Sequence, residues 1–177
     1  MKKTNKLTLT AMLVAINILG AAIALLLKLP VYLDSIGTIM SGMLFGPLYG
    51  AVAAIATGVI NSTYDGYALA FTPVQLILGI LAGVLIKLKS KKLIEQCMWT
   101  FVLSIPASIV SAIIVTYLFG TISSSGSSYI VQVLRAARFS DFSAVFTVQV
   151  LTDYLDKLIA VLINNKILNL KIFSKLK

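Results

Sequence analysis

Long stretches without a single charged side chain are the feature that most constrains this chain. Residues 7–27, 36–64 and 96–134 contain no Asp, Glu, Lys or Arg. A helix needs about 20 mostly apolar residues to cross a hydrocarbon core of about 30 Å. With 59% hydrophobic and 12% charged residues, the chain has too few charges to cover the surface of a soluble domain. The sequence therefore predicts an all-α integral membrane protein in which residues 1–177 form a single transmembrane domain.

Helix-breaking residues divide these stretches into six predicted helices. Gly46 and Pro47 end one helix and start the next, and the serine-rich segment 121–128 is typical of a loop. We predict helices at 7–27, about 36–45, about 47–63, 68–86, about 97–119 and about 144–170. Residues 133–142 are predicted to form a short amphipathic helix on the outer surface, and the alternative is that 129–143 is a substrate lid.

Lysine clusters predict the orientation of the six-helix bundle. The clusters are Lys2, Lys3 and Lys6; Lys87, Lys89, Lys91 and Lys92; and Lys166, Lys171, Lys175 and Lys177. Six crossings put all three clusters on one side, which the positive-inside rule makes cytoplasmic. We therefore expect cytoplasmic N- and C-termini in a multi-pass protein of a bacterial plasma membrane. The run 7–27 is too long for the apolar part of a signal peptide, so we interpret it as the first span.

Several function classes are excluded by residues that the sequence lacks. The chain has one cysteine and no histidine, which leaves no readable transition-metal site, and we expect no metal and no cofactor. It contains no phosphate-binding motif of the G-x-x-x-x-G-K-[ST] type and no H-E-x-x-H or G-x-S-x-G. The net charge of +9 resides mostly in the lysine clusters, so we expect a lipid bilayer and no nucleic acid as partner. The prediction is a protein that is not an enzyme.

The segment TDYLDK at 152–157 places charges inside an otherwise oily helix. Asp153, Asp156 and Lys157 have i, i+3 and i+4 spacing and share one helical face. A charge that faces lipid costs about 2.5–3.5 kcal/mol, so this face should point into the bundle, about 13 Å from the outer end of the helix. We interpret it as one wall of a ligand site. Two alternatives are a structural Asp153–Lys157 pair and an intramembrane enzyme that uses the two aspartates.

Other polar and aromatic groups are predicted to reach the same level of the bundle. They are Asn17, Tyr32, Asp34, Asn61, Tyr64, Asp65, Tyr67, Phe71 and Gln75. Aromatic faces, amides and a few charges are typical of a small-molecule pocket, and a flat heteroaromatic ligand would suit it.

Three segments resemble the S components, the substrate-binding subunits, of energy-coupling-factor (ECF) transporters. They are "AMLVAI" at 11–16, which carries an A-x-x-x-A pattern, "LDSIGTIMSGMLFGPLYGAVAAIATGVIN" at 33–61, and the D-x-x-D-K-L-I run at 153–159. The resemblance implies capture of a vitamin at the outer face. It also implies that Ala11 and Ala15 dock onto a transmembrane coupling subunit that two separate ATPase subunits drive.

The substrate stays open at this stage. The leading prediction is a pyridoxine-like or hydroxymethylpyrimidine-like compound, whose protonated ring nitrogen would pair with Asp153 or Asp156. Riboflavin, pantothenate, thiamine and a nucleobase are alternatives. A membrane sensor or assembly protein without transport is the alternative from another functional class.

Overall fold

The computed structural model of the chain describes residues 1–85 and 92–168, and the regular structure within them is entirely helical. In chain order the helices are α1 (Lys3–Leu26), α2 (Ile36–Phe45), α3 (Pro47–Asn61), α4 (Thr72–Val84), α5 (Leu93–Phe119), α6 (Ser127–Ala136) and α7 (Asp141–Leu168). The predicted all-α fold is confirmed for these residues. The break at Gly46 is also confirmed, since its φ of 96° ends α2 and lets Pro47 start α3.

The short amphipathic helix lies earlier in the chain than predicted. It covers Ser127–Ala136 instead of 133–142, and α7 already begins at Asp141. Arg138 lies in the turn between the two helices with a φ of 68°. Arg138 therefore does not lie on the same helix as Arg135. Arg135 instead makes an exposed ion pair across this turn with Asp141, at 2.7 Å.

Helix α2 occupies the centre of the bundle. Its residues 37–43 are all buried, because it packs against α1, α3, α4 and α7. A helix without a polar face is stable in such a position. The buried amide of Asn17 ties three helices together. Its Nδ2 donates to the hydroxyls of Thr38 and Thr57 at 2.9 Å, and its Oδ1 accepts the Gly37 N–H at 2.6 Å. Asn17 thus stabilises the core and, contrary to the prediction, does not line the pocket.

Glycines allow α3 and α4 to touch through their backbones. A Cβ at Gly79 would lie 2.5 Å from the carbonyl oxygen of Gly50, which is closer than real atoms approach. The small residues on these helices therefore pack within the bundle.

Helix lengths bear on how the chain crosses a membrane. Helices α1 and α5 are long and apolar enough to span, whereas α2, α3 and α4 have 10, 15 and 13 residues. Six full-length crossings therefore remain a prediction. The cytoplasmic location of the termini also remains a prediction, because most lysines of the second and third clusters lie outside the described residues.

Three connections meet at one end of the bundle. The α1–α2 loop joins the α5–α6 loop through a hydrogen bond from the Gly126 N–H to the Leu29 carbonyl, at 3.1 Å. The α3–α4 loop joins the same loop through Ser124, whose hydroxyl donates to Asp65 at 2.7 Å. This end of the molecule contains the candidate site.

Candidate functional site

A cleft opens beneath the three joined loops and extends down to α7. Its cavity volume is about 50 Å³, and it lies within about 670 Å³ of empty space that includes open solvent. The lining residues are Ala21, Ala24, Leu25, Leu29, Val31, Tyr32, Asp34, Asn61, Tyr64, Asp65, Ala68, Phe71, Val74, Gln75, Ser111, Ser124, Ser125, Asp153 and Lys157. Ligand sites measure about 300–1,000 Å³, so the cavity in this structure is smaller than a site that encloses a ligand. A ring-shaped ligand would therefore require the loops above it to move.

The charged face of α7 forms the floor of the cleft. Asp153, Asp156 and Lys157 are each at most 2% exposed, as expected for charges that avoid lipid. The Lys157 Nζ donates to Asp153 Oδ1 at 3.2 Å and to Asp156 Oδ2 at 2.9 Å. The Lys157 ammonium thus binds both carboxylates. The structure therefore differs from the alternative in which Lys157 pairs with Asp153 alone.

The two aspartates have different surroundings. Asp156 does not line the cleft, and it accepts hydrogen bonds from the Leu33 N–H at 2.8 Å and the Ser35 hydroxyl at 3.4 Å. Leu33 has a left-handed φ of 54°, which is unfavourable for a side chain that is not glycine. Asp156 therefore anchors the α1–α2 loop, while Asp153 faces the cleft.

Hydrogen bonds between loops form the roof of the cleft. The Tyr32 and Ser123 hydroxyls are 3.3 Å apart, and the Ser125 hydroxyl donates to the Leu29 carbonyl at 3.3 Å. Asp65 accepts from Ser124 and also from the Tyr67 N–H, at 3.0 Å. The serine-rich segment thus closes over the α1–α2 and α3–α4 loops.

Asp34 adds a carboxylate whose charge depends on pH. Burial, together with the negative charge of Asp156, raises the pKa of Asp34 from 3.8 to about 6, and the ammonium of Lys157 opposes this rise. Near neutral pH the side chain is therefore mostly ionised and can switch in the mildly acidic range.

The structure brings together most of the residues predicted for the pocket. Tyr32, Asp34, Asn61, Tyr64, Asp65, Gln75, Asp153 and Lys157 all line the cleft. Three predicted residues do not line it, namely Asn17, Asp156 and Tyr67. The ring of Tyr67 packs edge-on against Phe119 with centroids 4.7 Å apart.

Some lining residues were missed. Ser111, Ser124 and Ser125 line the cleft, together with an apolar wall from α1. The serine run was visible in the sequence, but nothing in it indicated that it folds back over the α3–α4 loop.

The depth of the charges also differs from the prediction. Because α7 begins at Asp141, Asp153 lies about 18 Å from the start of the helix at 1.5 Å per residue, instead of about 13 Å. This position is close to the middle of α7.

The alanines predicted for docking lie on an open face of α1. Ala11 and Ala15 are exposed, as are their neighbours Met12 (61%) and Ile16 (43%). Small residues flanked by exposed apolar ones leave room for another helix to approach.

Comparison with known protein families identifies a match. The sequence model of a family described as "ECF transporter, substrate-specific component" matches residues 5–169, which is nearly the whole chain. Neither the curated proteins nor the solved structures contain a significant match.

Proposed function

Because this chain belongs to the substrate-specific components of ECF transporters, we propose that it captures a small vitamin or vitamin precursor for uptake. Members of this family are membrane-embedded transport subunits that act with ECF coupling and ATPase subunits on a small-molecule substrate. In this proposal ATP is hydrolysed by two separate ATPase subunits, and this chain is not an enzyme. It would reside in a bacterial plasma membrane, with residues 1–177 as one domain.

The observation that carries the proposal is the cleft itself. Aromatic side chains, amides and charges from several helices and three loops converge on one volume, which is the composition of a small-molecule site. The buried charges of α7 are costly in a membrane protein unless they serve such a site. The cleft residues that the sequence predicted, from Tyr32 to Lys157, are therefore proposed to surround the substrate.

A pyridoxine-like or hydroxymethylpyrimidine-like compound remains the leading candidate. Tyr32 and Phe71 offer ring faces in the cleft, with centroids 6.0 Å apart and planes inclined by 41°. A flat ligand ring can stack on either face. Asn61 and Gln75 are buried amides that suit hydroxymethyl groups.

Docking onto the coupling subunit is proposed to use the exposed face of α1 around Ala11 and Ala15. Ala11 and Ala15 lie nearer the N-terminus of α1, whereas the cleft residues of α1, Ala21–Leu25, lie near its C-terminal end. Substrate binding and partner binding would thus use separate surfaces.

Native mass spectrometry of the purified chain tests the proposed function, because a captured substrate adds its mass to the protein. The wild type is expected to carry a small molecule and, together with its coupling and ATPase subunits, to take that molecule up into vesicles.

Neighbouring residues supply a matched pair of variants for this test. Ala68→Trp would fill the cleft and remove the bound molecule, whereas Leu69→Trp, at a position that is 56% exposed, should retain it. Retention by both variants would contradict the assignment of the cleft. Binding without uptake would favour a sensor over a transporter. A chain that neither binds a small molecule nor supports its uptake would refute the proposal.

A further inference from the structure

Two buried acceptor atoms in the cleft lack a donor. Asp153 Oδ2 and Gln75 Oε1 have no hydrogen-bond partner in the part of the chain that the structure describes, although the residues are only 2% and 5% exposed. The remaining polar atoms of both side chains are engaged. Asp153 Oδ1 accepts from Lys157, and Gln75 Nε2 donates to the Asp34 carbonyl at 3.4 Å.

The Ser108 hydroxyl removes only part of this deficit. Its single proton is shared between the Asp153 carboxylate and the Gln149 carbonyl, which lies 3.4 Å away. Buried acceptors are rarely left without a donor, so the two oxygens indicate a ligand that brings N–H or O–H groups.

The excess of negative charge in the cleft also favours a ligand that donates hydrogen bonds over an anionic one. Three carboxylates line it, those of Asp34, Asp65 and Asp153, and Lys157 is the one lining ammonium among the described residues. Lys157 is already held by Asp153 and by Asp156 outside the cleft. It is therefore not available as a partner for an anion, and an anionic group would meet an excess of negative charge.

We propose that the substrate presents a cationic nitrogen with at least two N–H donors, which bind Asp153 Oδ2 and Gln75 Oε1. Protonated amines, amidinium groups and protonated aminopyrimidine rings, in which a ring N–H and the amino group share the charge, belong to this class. Lys157 acts as a positioning residue that holds the Asp153 carboxylate in place. This inference rests on the proposed function and narrows it, since substrates recognised through a carboxylate are excluded.

The test measures the thermal unfolding of the purified full-length chain with two sets of probes. The cationic set is pyridoxamine and protonated 4-amino-5-hydroxymethyl-2-methylpyrimidine, and the anionic set is pantothenate, biotin and 4-pyridoxate. At least one cation is expected to raise the melting temperature, and none of the anions should. An anion that stabilises the chain, or the absence of any stabilising cation, would overturn the inference.

Two aspartates on α7 supply matched variants. Asp153→Asn should weaken binding of the stabilising cation by about 10- to 100-fold, because a charge-assisted hydrogen bond is lost. Asp141→Asn makes the same exchange at a side chain that is 56% exposed and should leave affinity unchanged. Gln75→Leu, which removes the neutral acceptor, should weaken binding about tenfold. It provides the test of the acceptor assignment if Asp153→Asn does not fold.

Wild-type affinity in the Asp153→Asn and Gln75→Leu variants would refute the assignment of the two acceptors. The outcomes also separate this inference from the proposed function. A bound anion overturns the charge preference and leaves a vitamin-binding subunit, whereas a chain that retains and transports no small molecule overturns the function.

Discussion

The anchoring of the α1–α2 loop by Asp156 leads to a sharp prediction. The Asp156 carboxylate is 1% exposed and accepts from the Leu33 N–H, the Ser35 hydroxyl and the Lys157 ammonium. Asp156→Asn keeps the shape of the side chain and removes its charge. One of its two oxygens becomes an NH₂ group, which cannot accept from any of the three donors.

The size of the effect follows from these contacts. A hydrogen bond to a charged group contributes about 1.5–3 kcal/mol, and the 2.8 Å bond from the Leu33 N–H is of this kind. The left-handed backbone at Leu33 costs about 1–2 kcal/mol, which this bond offsets. Lys157 keeps Asp153 as a partner, so the variant leaves no unpaired buried cation. We therefore expect local opening of the loop to become about 1.5–3 kcal/mol easier, whereas the bundle stays folded.

Hydrogen–deuterium exchange of the peptide that covers residues 28–35 measures this opening. At 1.4 kcal/mol per factor of ten, exchange should become about 10- to 150-fold faster in Asp156→Asn. Peptides from the buried helix α2 should not change. Asp141→Asn, an exposed exchange on the same helix, is the control and should exchange like the wild type. An unchanged rate for 28–35 in Asp156→Asn would show that the carboxylate does not hold the loop.

Three further predictions concern pH, docking and packing. Because burial raises the pKa of Asp34 from 3.8 to about 6, the native state binds this proton more tightly than the unfolded state, and stability should fall by about 1 kcal/mol from pH 5 to pH 7. Unfolding midpoints at both pH values should show a smaller fall in Asp34→Asn, and equal falls would contradict the assignment. Ala11→Leu combined with Ala15→Leu should reduce co-purification with the coupling subunit at least tenfold without changing substrate affinity; normal assembly would argue against docking through α1. Gly79→Ala should lower the free energy of unfolding by about 1–3 kcal/mol, since its Cβ would lie 2.5 Å from a carbonyl oxygen of α3, whereas Gly66→Ala points into open space and should be nearly neutral.

The positions of the apolar helices were predictable because each depends on local chemistry, whereas the short helix α6 lies earlier in the chain than predicted. Apolar runs of helical length and the Gly46–Pro47 break are visible without any knowledge of tertiary contacts. The inward direction of the α7 charges was predictable too, since lipid penalises the alternative so strongly.

The roles of single residues were harder to predict because they depend on contacts between distant segments. Asn17 was expected in the pocket, and its true partners Thr38 and Thr57 lie on two other helices. Ser124 and Ser125 became lining residues only because their loop returns over the α3–α4 loop. Serine has no strong preference for such a site, so the sequence offers no signal at these positions.

The different positions of Asp153, which faces the cleft, and Asp156, which anchors the α1–α2 loop, follow from helical geometry. At about 100° per residue, Asp153 and Asp156 project about 60° apart on the same side of α7. This angle is small enough to keep both buried and large enough to direct one towards the cleft and the other towards the Leu33 N–H. Leu155, the residue before Asp156, is 53% exposed. A carboxylate at position 155 would therefore face lipid, at a cost of about 2.5–3.5 kcal/mol. The i, i+3 spacing is thus the arrangement that lets one buried turn both line the cleft and anchor a loop, with Lys157 long enough to neutralise part of the charge of each aspartate.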